Sequence, residues 1–250
     1  MDLTAISARG IGSLGFAEVD PADPLHAASL LRELPIFDPF PRRGRDLLAS
    51  GASLLALDRG QTIFRRGTTP TGIYFVVVGA VKLIAPGADG RDKTIELFGP
   101  GQMFGEIGVF MDSTYRAWAQ AVGRCTLIHV SRSHVMAAIE GDHELSTWML
   151  REVSWRVQKL IDVICATSTH HGVIRVASYL LDLAEVSPDP QQIELPAPKH
   201  TVASLLSLTH ESFSRIMRKL SDESVIAMRG RTVHILDMAA LRRLRLNHEN

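Results

Sequence analysis

The sequence predicts an α+β chain built, in order, from a β jelly roll, one long helix and a winged helix-turn-helix. Three observations predict it. From Ala52 to about Ser131, short β-rich runs alternate with glycine turns. From about Asp142 to Ser168, apolar residues follow helical spacing. From Lys199 to Leu220, two short amphipathic stretches are joined by a tight turn. A chain of 250 residues with 46% hydrophobic composition can bury a sizeable core and has room for two domains.

Residues 1–24 contain Gly, Ala and Pro without periodicity and are expected to form a loose arm. Short helices are expected from about His26 to Leu34 and near Arg45 to Ser50. The β-rich runs are Thr62–Phe64, Ile73–Val78, Val81–Ile84, Thr94–Phe98 and Cys125–Val130. Turn signals separate them at Gly60, Gly67, Gly79, Gly87 to Gly90, and Gly99-Pro100-Gly101. That spacing fits an antiparallel barrel or jelly roll, placed at residues 25–141.

The long helix is placed at residues 142–168. Leu150, Val153, Val157, Leu160 and Ile164 follow the 3-4-3-4 spacing of a two-stranded seam. Leu145, Trp148, Met149 and Ile161 offer a second apolar face for the barrel. A helix with two apolar sides needs two partners, so the first set is read as a homodimer interface. The alternative is a helix that packs only on its own domain. Thr167 to Gly172 interrupts the pattern and is the expected hinge. A further helix, Val173 to Ala184, opens the C-terminal domain at residues 169–250.

Within that domain, Val202, Leu205 and Leu206 give a first short helix, with Ala203 small where a second helix would cross closely. Thr209 is placed to cap the second helix, and Phe213, Ile216, Met217 and Leu220 form its apolar face. His210, Glu211, Ser214, Arg215 and Arg218 fall on the other side. Arg can pair with guanine O6 and N7, and Glu can accept from cytosine N4, so Glu211 and Arg215 are read as base contacts. Ser214 can meet base or phosphate, while Thr209, His210 and Arg218 are read as backbone anchors. Val225 to Leu236 then reads as a hairpin with a basic tip, Arg229-Gly230-Arg231, placed to touch phosphate. Ser207 occupies the inter-helix turn where glycine is common, which strains the turn. An ordinary amphipathic hairpin with a charged outer face would share the helical pattern. Charge favours double-stranded DNA as the partner: residues 196–250 hold nine Lys and Arg against five Asp and Glu, while the whole chain carries 27 of each.

Other classes are disfavoured. There is no P-loop, G-x-S-x-G, H-E-x-x-H or strand-borne G-x-G-x-x-G, so an enzyme is not expected. Cys125 and Cys165 are far apart and belong to no four-ligand cluster, which argues against a disulfide scaffold or a structural zinc site and fits a reducing cytosol. The N-terminal residues lack the regions of a signal peptide, and no apolar run reaches the roughly 18 residues of a membrane span, so a cytoplasmic protein without membrane partners is expected.

Barrel, long helix and winged helix-turn-helix together resemble the Crp/Fnr family of bacterial transcription regulators over about residues 30–245. Gly105-Glu106-Ile107-Gly108-Val109-Phe110, followed by Arg116-Ala117, resembles the phosphate-binding cassette of that family's cyclic-nucleotide-binding barrel. The resemblance implies that Glu106 holds a ribose 2′-hydroxyl and Arg116 the cyclic phosphate, a strong charged contact. Two positions depart from the pattern. Ala117 stands where a hydroxyl often adds a phosphate contact, and Leu160 and Ile161 stand where cyclic-AMP-binding members offer hydroxyls to the base. Buried base edges left unmatched cost roughly 1–3 kcal/mol per group. Glu106 and Arg116 then read alternatively as a structural ion pair. The N-terminal cysteine cluster of the oxygen-sensing branch is missing, and an iron–sulfur cluster is not expected without those thiolates.

The segments Ile36-Phe37-Asp38-Pro39, Phe110-Met111-Asp112-Ser113, Ala119-Gln120-Ala121-Val122 and Glu211-Ser212-Phe213-Ser214-Arg215-Ile216-Met217 are most similar to the nitric-oxide-responsive denitrification regulators. That branch implies a haem sensor, for which His129, His134, His143, His170 and His171 are the candidate ligands. Glu211, Ser214 and Arg215 match the family pattern associated with TTGAT-like half-sites. His210 stands where some relatives carry a third base-reading Arg. The resemblance further implies an inverted-repeat DNA site, RNA polymerase as a partner and activation as the direction of control. Two rival readings keep the fold: a cyclic-nucleotide-responsive regulator using Glu106 and Arg116, and a nucleotide-binding signalling module that acts through a protein partner.

Overall fold

The computed structural model describes residues 24–33, 42–87, 90, 92–169 and 172–246, with side chains described except at 24–26, 33, 159, 162–169 and 246. The expectations for residues 1–23 of the arm placed at 1–24, for Ile36 to Pro39, for the side chains of Ile164 and Cys165, for His170 and His171, and for the hinge side chains from Thr167 to His171 lie outside the described residues.

Among the described residues, two helices precede the strands, α1 (Pro24–Glu33) and α2 (Arg42–Ser50). Eight strands then make two antiparallel four-stranded sheets. One has the order β1 (Ala52–Leu57), β8 (Cys125–Ser131), β3 (Gly72–Val78), β6 (Met103–Phe104). The other has β2 (Thr62–Phe64), β7 (Trp118–Ala121), β4 (Val81–Pro86), β5 (Asp92–Phe98). The jelly-roll expectation is met.

The strand that organises this unit is β3, whose run Ile-Tyr-Phe-Val-Val is buried throughout. Successive strand side chains point to opposite faces, so a continuous apolar run needs cover on both. Tyr74 and Val76 join Phe64, Phe98, Phe104 and Tyr115 in an aromatic core. Within it Phe64 stacks on Tyr115 at 3.7 Å and Phe104 on Tyr74 at 5.2 Å. Ile73, Phe75 and Val77 face the other way, into a cluster with Leu31, Leu48 and Val135. That second cluster draws on α1, α2 and α4 (Arg132–Gly141), the last of which the sequence reading missed.

The long helix α5 spans His143–Thr169, one residue from the expected start and end. Its first turn is held by Asp142, whose Oδ1 accepts from the backbone N–H groups of Glu144 and Leu145 at 3.0 and 3.1 Å. Leu145, Trp148 and Met149 are buried in the cluster with Ile73 and Phe75, as expected of a barrel-facing side. Ile161 does not share that fate: it is 46% exposed. The chain divides into two compact units between Trp155 and Arg156, inside this helix, so Ile161 lies beyond the barrel's unit and is corrected from the buried face. Leu150 and Val157 are exposed, whereas Val153 and Leu160 are partly buried.

The C-terminal unit begins with α6 (Gly172–Val186), whose Ile174, Ala177, Leu180, Leu181 and Ala184 are buried. Strand β9 (Gln192–Glu194) follows, then α7 (Lys199–Leu205), α8 (His210–Asp222), the hairpin β10 (Ile226–Arg229) and β11 (Thr232–Ile235), and α9 (Met238–Leu246). The expected hairpin is a three-stranded sheet, because β9 pairs with β11 through Thr232↔Glu194 and Val233↔Ile193. Helix α9 starts at an Asp237 cap, with the Ala240 N–H donating to Asp237 Oδ1 at 2.8 Å. No described helix is long and apolar enough to cross a membrane.

Candidate nucleic-acid interface and effector site

Helices α7 and α8 meet through buried Val202, Ala203, Phe213, Met217 and Leu220. Between them the chain reverses at Ser207, which sits in the left-handed region at φ 54. For a side chain with a Cβ this costs about 1–2 kcal/mol, confirming the strain expected at that position. The turn is closed by the Leu208 N–H donating to Ala203 O at 2.9 Å.

Thr209 is the N-cap of α8. Its Oγ1 accepts from the Ser212 N–H at 3.1 Å and donates to Ser212 Oγ at 2.9 Å. With the helix start held there, Phe213, Met217 and Leu220 point inward. Glu211, Arg215 and Arg218, spaced i, i+4 and i+7, are exposed on one face. Thr209 and His210 are exposed as well, and Ser214 is half-buried at the edge of that face. The Arg215 guanidinium reaches Ser212 Oγ at 3.4 Å. Among the described residues Glu211 and Arg215 form no ion pair with each other.

The wing turns on two residues, Gly230 and Arg231, between the paired Arg229 and Thr232. Gly230 has φ 64, the positive value that two-residue hairpin turns demand. Arg229 and Arg231 are both exposed, but they differ electrostatically. Arg231 Nη2 donates to Glu194 Oε1 at 2.8 Å, an ion pair that sequence reading could not anticipate. Arg229 makes no ion pair among the described residues.

On the barrel, Gly105 precedes α3 (Glu106–Phe110) with φ 89. A Cβ there would also come within 3.0 Å of the Tyr74 ring. Glu106 follows, 1% exposed, with Ala117 half-buried and Arg116 exposed in the loop beyond. Arg116 makes no ion pair among the described residues, so the structural pairing of Glu106 with Arg116 is not formed. Burial, then the charges of Tyr74 and Glu106, push the Tyr115 hydroxyl far above the ordinary tyrosine range. Leu160 and Ile161 belong to the C-terminal unit, whereas Gly105, Glu106, Arg116 and Ala117 belong to the barrel unit. A cavity of 680 Å³ in the barrel unit is lined by Thr62, Phe64, Arg65, Thr71, Tyr74 and Tyr115 among others, not by Glu106 or Arg116.

Of the candidate haem ligands, His129, His134 and His143 fall among the described residues. The His129 ring lies 4.8 Å from that of Tyr74, and its Nε2 is 3.3 Å from Thr71 Oγ1. Burial lowers its pKa below the ordinary histidine value. His134 Nδ1 is bonded to Ser131 Oγ at 2.7 Å, and His143 is exposed at the start of α5. None of the three lines the cavity. Burial also pushes the Cys125 thiol up to about 11, which makes it a packing residue rather than a reactive one.

Replacing Thr209 with Ala removes the cap and should cost about 1 kcal/mol. Thermal melts should show that loss, and Thr209→Ser should restore most of it.

Comparison with known proteins matches this architecture unit by unit. Residues 54–142 match the cyclic nucleotide-binding domain family, and residues 174–244 match the Crp-like helix-turn-helix domain family. The nitrogen fixation regulation protein FixK of Rhizobium meliloti is 32% identical over 198 residues, covering 78% of this chain and 89% of that protein. The cAMP-activated global transcriptional regulator CRP of Haemophilus influenzae is 23% identical over 176 residues, 69% of this chain and 79% of that one. The solved structure of FixK2 from Bradyrhizobium japonicum shares the fold with a TM-score of 0.71 at 22% identity, over 77% of this chain and 96% of that chain. These relatives are transcription regulators, not enzymes. The chain belongs to the Crp/Fnr family of DNA-binding transcription regulators.

Proposed function

We propose that two copies of this chain pair along α5 and bind an inverted repeat of TTGAT-like half-sites, one α8 in each major groove. The observation that carries this reading is the exposed row Glu211, Arg215 and Arg218 on a helix whose start is capped, with the cation Arg229 on the wing of the same unit. Glu211 and Arg215 read base edges, while Thr209, His210, Arg218, Arg229 and Arg231 anchor phosphates. Exposed Leu150 and Val157 on α5 support the seam, because large apolar side chains in solvent gain by burial against a second copy. The half-sites then lie about one helical turn apart, and bound dimers act on RNA polymerase as activators.

The effector that the barrel supports best is a cyclic nucleotide. Glu106 is buried at the start of α3 behind a glycine, and Arg116 is exposed with no ion-pair partner among the described residues, which suits a charged contact to phosphate. Ala117 weakens that cassette by one hydroxyl. Nitric oxide sensing through haem rests on the sequence resemblance alone, and His129, His134 and His143 do not line the barrel cavity.

In a binding-site selection, Arg215→Ala should lose roughly 1–3 kcal/mol and relax preference at one base pair. Arg229→Ala should weaken all sequences alike. Identical sequence profiles for the two variants would refute the division of roles. Calorimetric titration with cyclic AMP and cyclic GMP should give saturable binding that Arg116→Ala abolishes. Absence of heat with the wild-type chain would remove the nucleotide reading and leave the DNA reading standing.

A further inference from the structure

Strand β9 does more than widen the wing sheet. It carries Glu194 directly across from Thr232, and the Leu195 N–H donates to Arg231 O at 3.0 Å, so the backbones of the two segments are stitched together beside the wing tip. In that frame Glu194 Oε1 accepts from Arg231 Nη2 at 2.8 Å. Both side chains are more than half exposed, at 63% and 53%, so the pair is wet and is worth little to folding. Its placement matters more than its strength. The wing tip offers two cations, and a carboxylate stands against one of them on the surface expected to meet the DNA backbone.

We propose that Glu194 is an electrostatic brake on DNA binding: it competes with phosphate for Arg231 and sets how tightly the wing grips any duplex, without affecting which sequence is read. The inference rests on the reading of α8 and the wing as the DNA-binding surface. Without DNA, the carboxylate neutralises Arg231 and leaves Arg229 as the wing's open charge. When a phosphate approaches, the guanidinium must share its donors between two anions that repel each other, or release Glu194 altogether. Either way the wild-type wing displaces fewer counterions than two free arginines would. Base contacts on α8 are untouched, because Glu194 approaches the wing and not Glu211 or Arg215. The effect is therefore the same for specific and random duplexes.

The test is Glu194→Gln in the full-length protein, titrated against an inverted-repeat TTGAT duplex and against a random duplex over a salt series. Gln keeps the size and can still accept from Arg231, and at an exposed position it should leave the thermal melt unchanged. The variant should bind both duplexes more tightly by a common factor, and its log–log salt slope should steepen by about one phosphate contact. Its advantage should therefore shrink about 3.5-fold between 50 and 200 mM salt, from a slope change of about 0.9. Combining it with Arg231→Gln should cancel the gain, since the brake acts through that cation. Unchanged affinity and slope for Glu194→Gln, or a gain that survives in the double variant, would overturn the proposal. Arg215→Ala in parallel separates the two levels: if it still relaxes base preference while Glu194→Gln does nothing, the brake fails and the DNA reading stands. If neither variant changes binding, the DNA reading itself fails.

Discussion

The exposed row Glu211, Arg215 and Arg218 depends on where α8 begins. Thr209 Oγ1 accepts from the Ser212 N–H, and the left-handed Ser207 brings the chain to that point from α7. Each residue of a helix turns its side chain by about 100°, so moving the start by one position would swing Phe213 toward solvent and Arg215 toward the core. Burial of Phe213, Met217 and Leu220 opposes that slip, at about 1.5–3 kcal/mol for each large side chain. Cap and core thus demand the same register. Glu211, Arg215 and Arg218 face outward as a consequence of that register.

A comparable double demand shapes the barrel. Strand β3 is apolar on both faces, so one face needs the aromatic core and the other needs helices. The start of α5 supplies part of that cover through Leu145, Trp148 and Met149. The same helix goes on to expose Leu150 and Val157. A single helix is thereby built into the barrel unit at one end and carries exposed apolar side chains farther along. That arrangement is what the proposed pairing along α5 would use.

Much of this was legible from residue order. Glycine turns at regular intervals marked the strands, the Thr209 cap marked α8, and the Arg229-Gly230-Arg231 tip marked the wing. What escaped notice did so for definable reasons. Strand β9 is three residues long, too short for alternation to register, and its partner β11 lies some forty residues downstream. The Glu194–Arg231 pair joins residues 37 apart, a contact that only the folded sheet creates. Helix α9 had a readable signal, Asp237 followed by Met-Ala-Ala-Leu, which is a cap before strong helix formers. For Ile161, helical periodicity says which side the residue is on, but not where along the helix the partner surface ends. Glu106 and Arg116 enter through the family resemblance and not through spacing, and only the structure shows the first buried and the second exposed without an ion-pair partner among the described residues.

Stoichiometry on DNA bears most directly on the central idea, that paired α5 helices present two copies of α8 to one palindrome. Sedimentation equilibrium of the full-length chain with a duplex carrying a single inverted repeat should give a complex of two chains per duplex. Cutting the duplex to one half-site should weaken binding steeply. A complex of one chain per duplex, with equal affinity for the half-site and the full repeat, would contradict it.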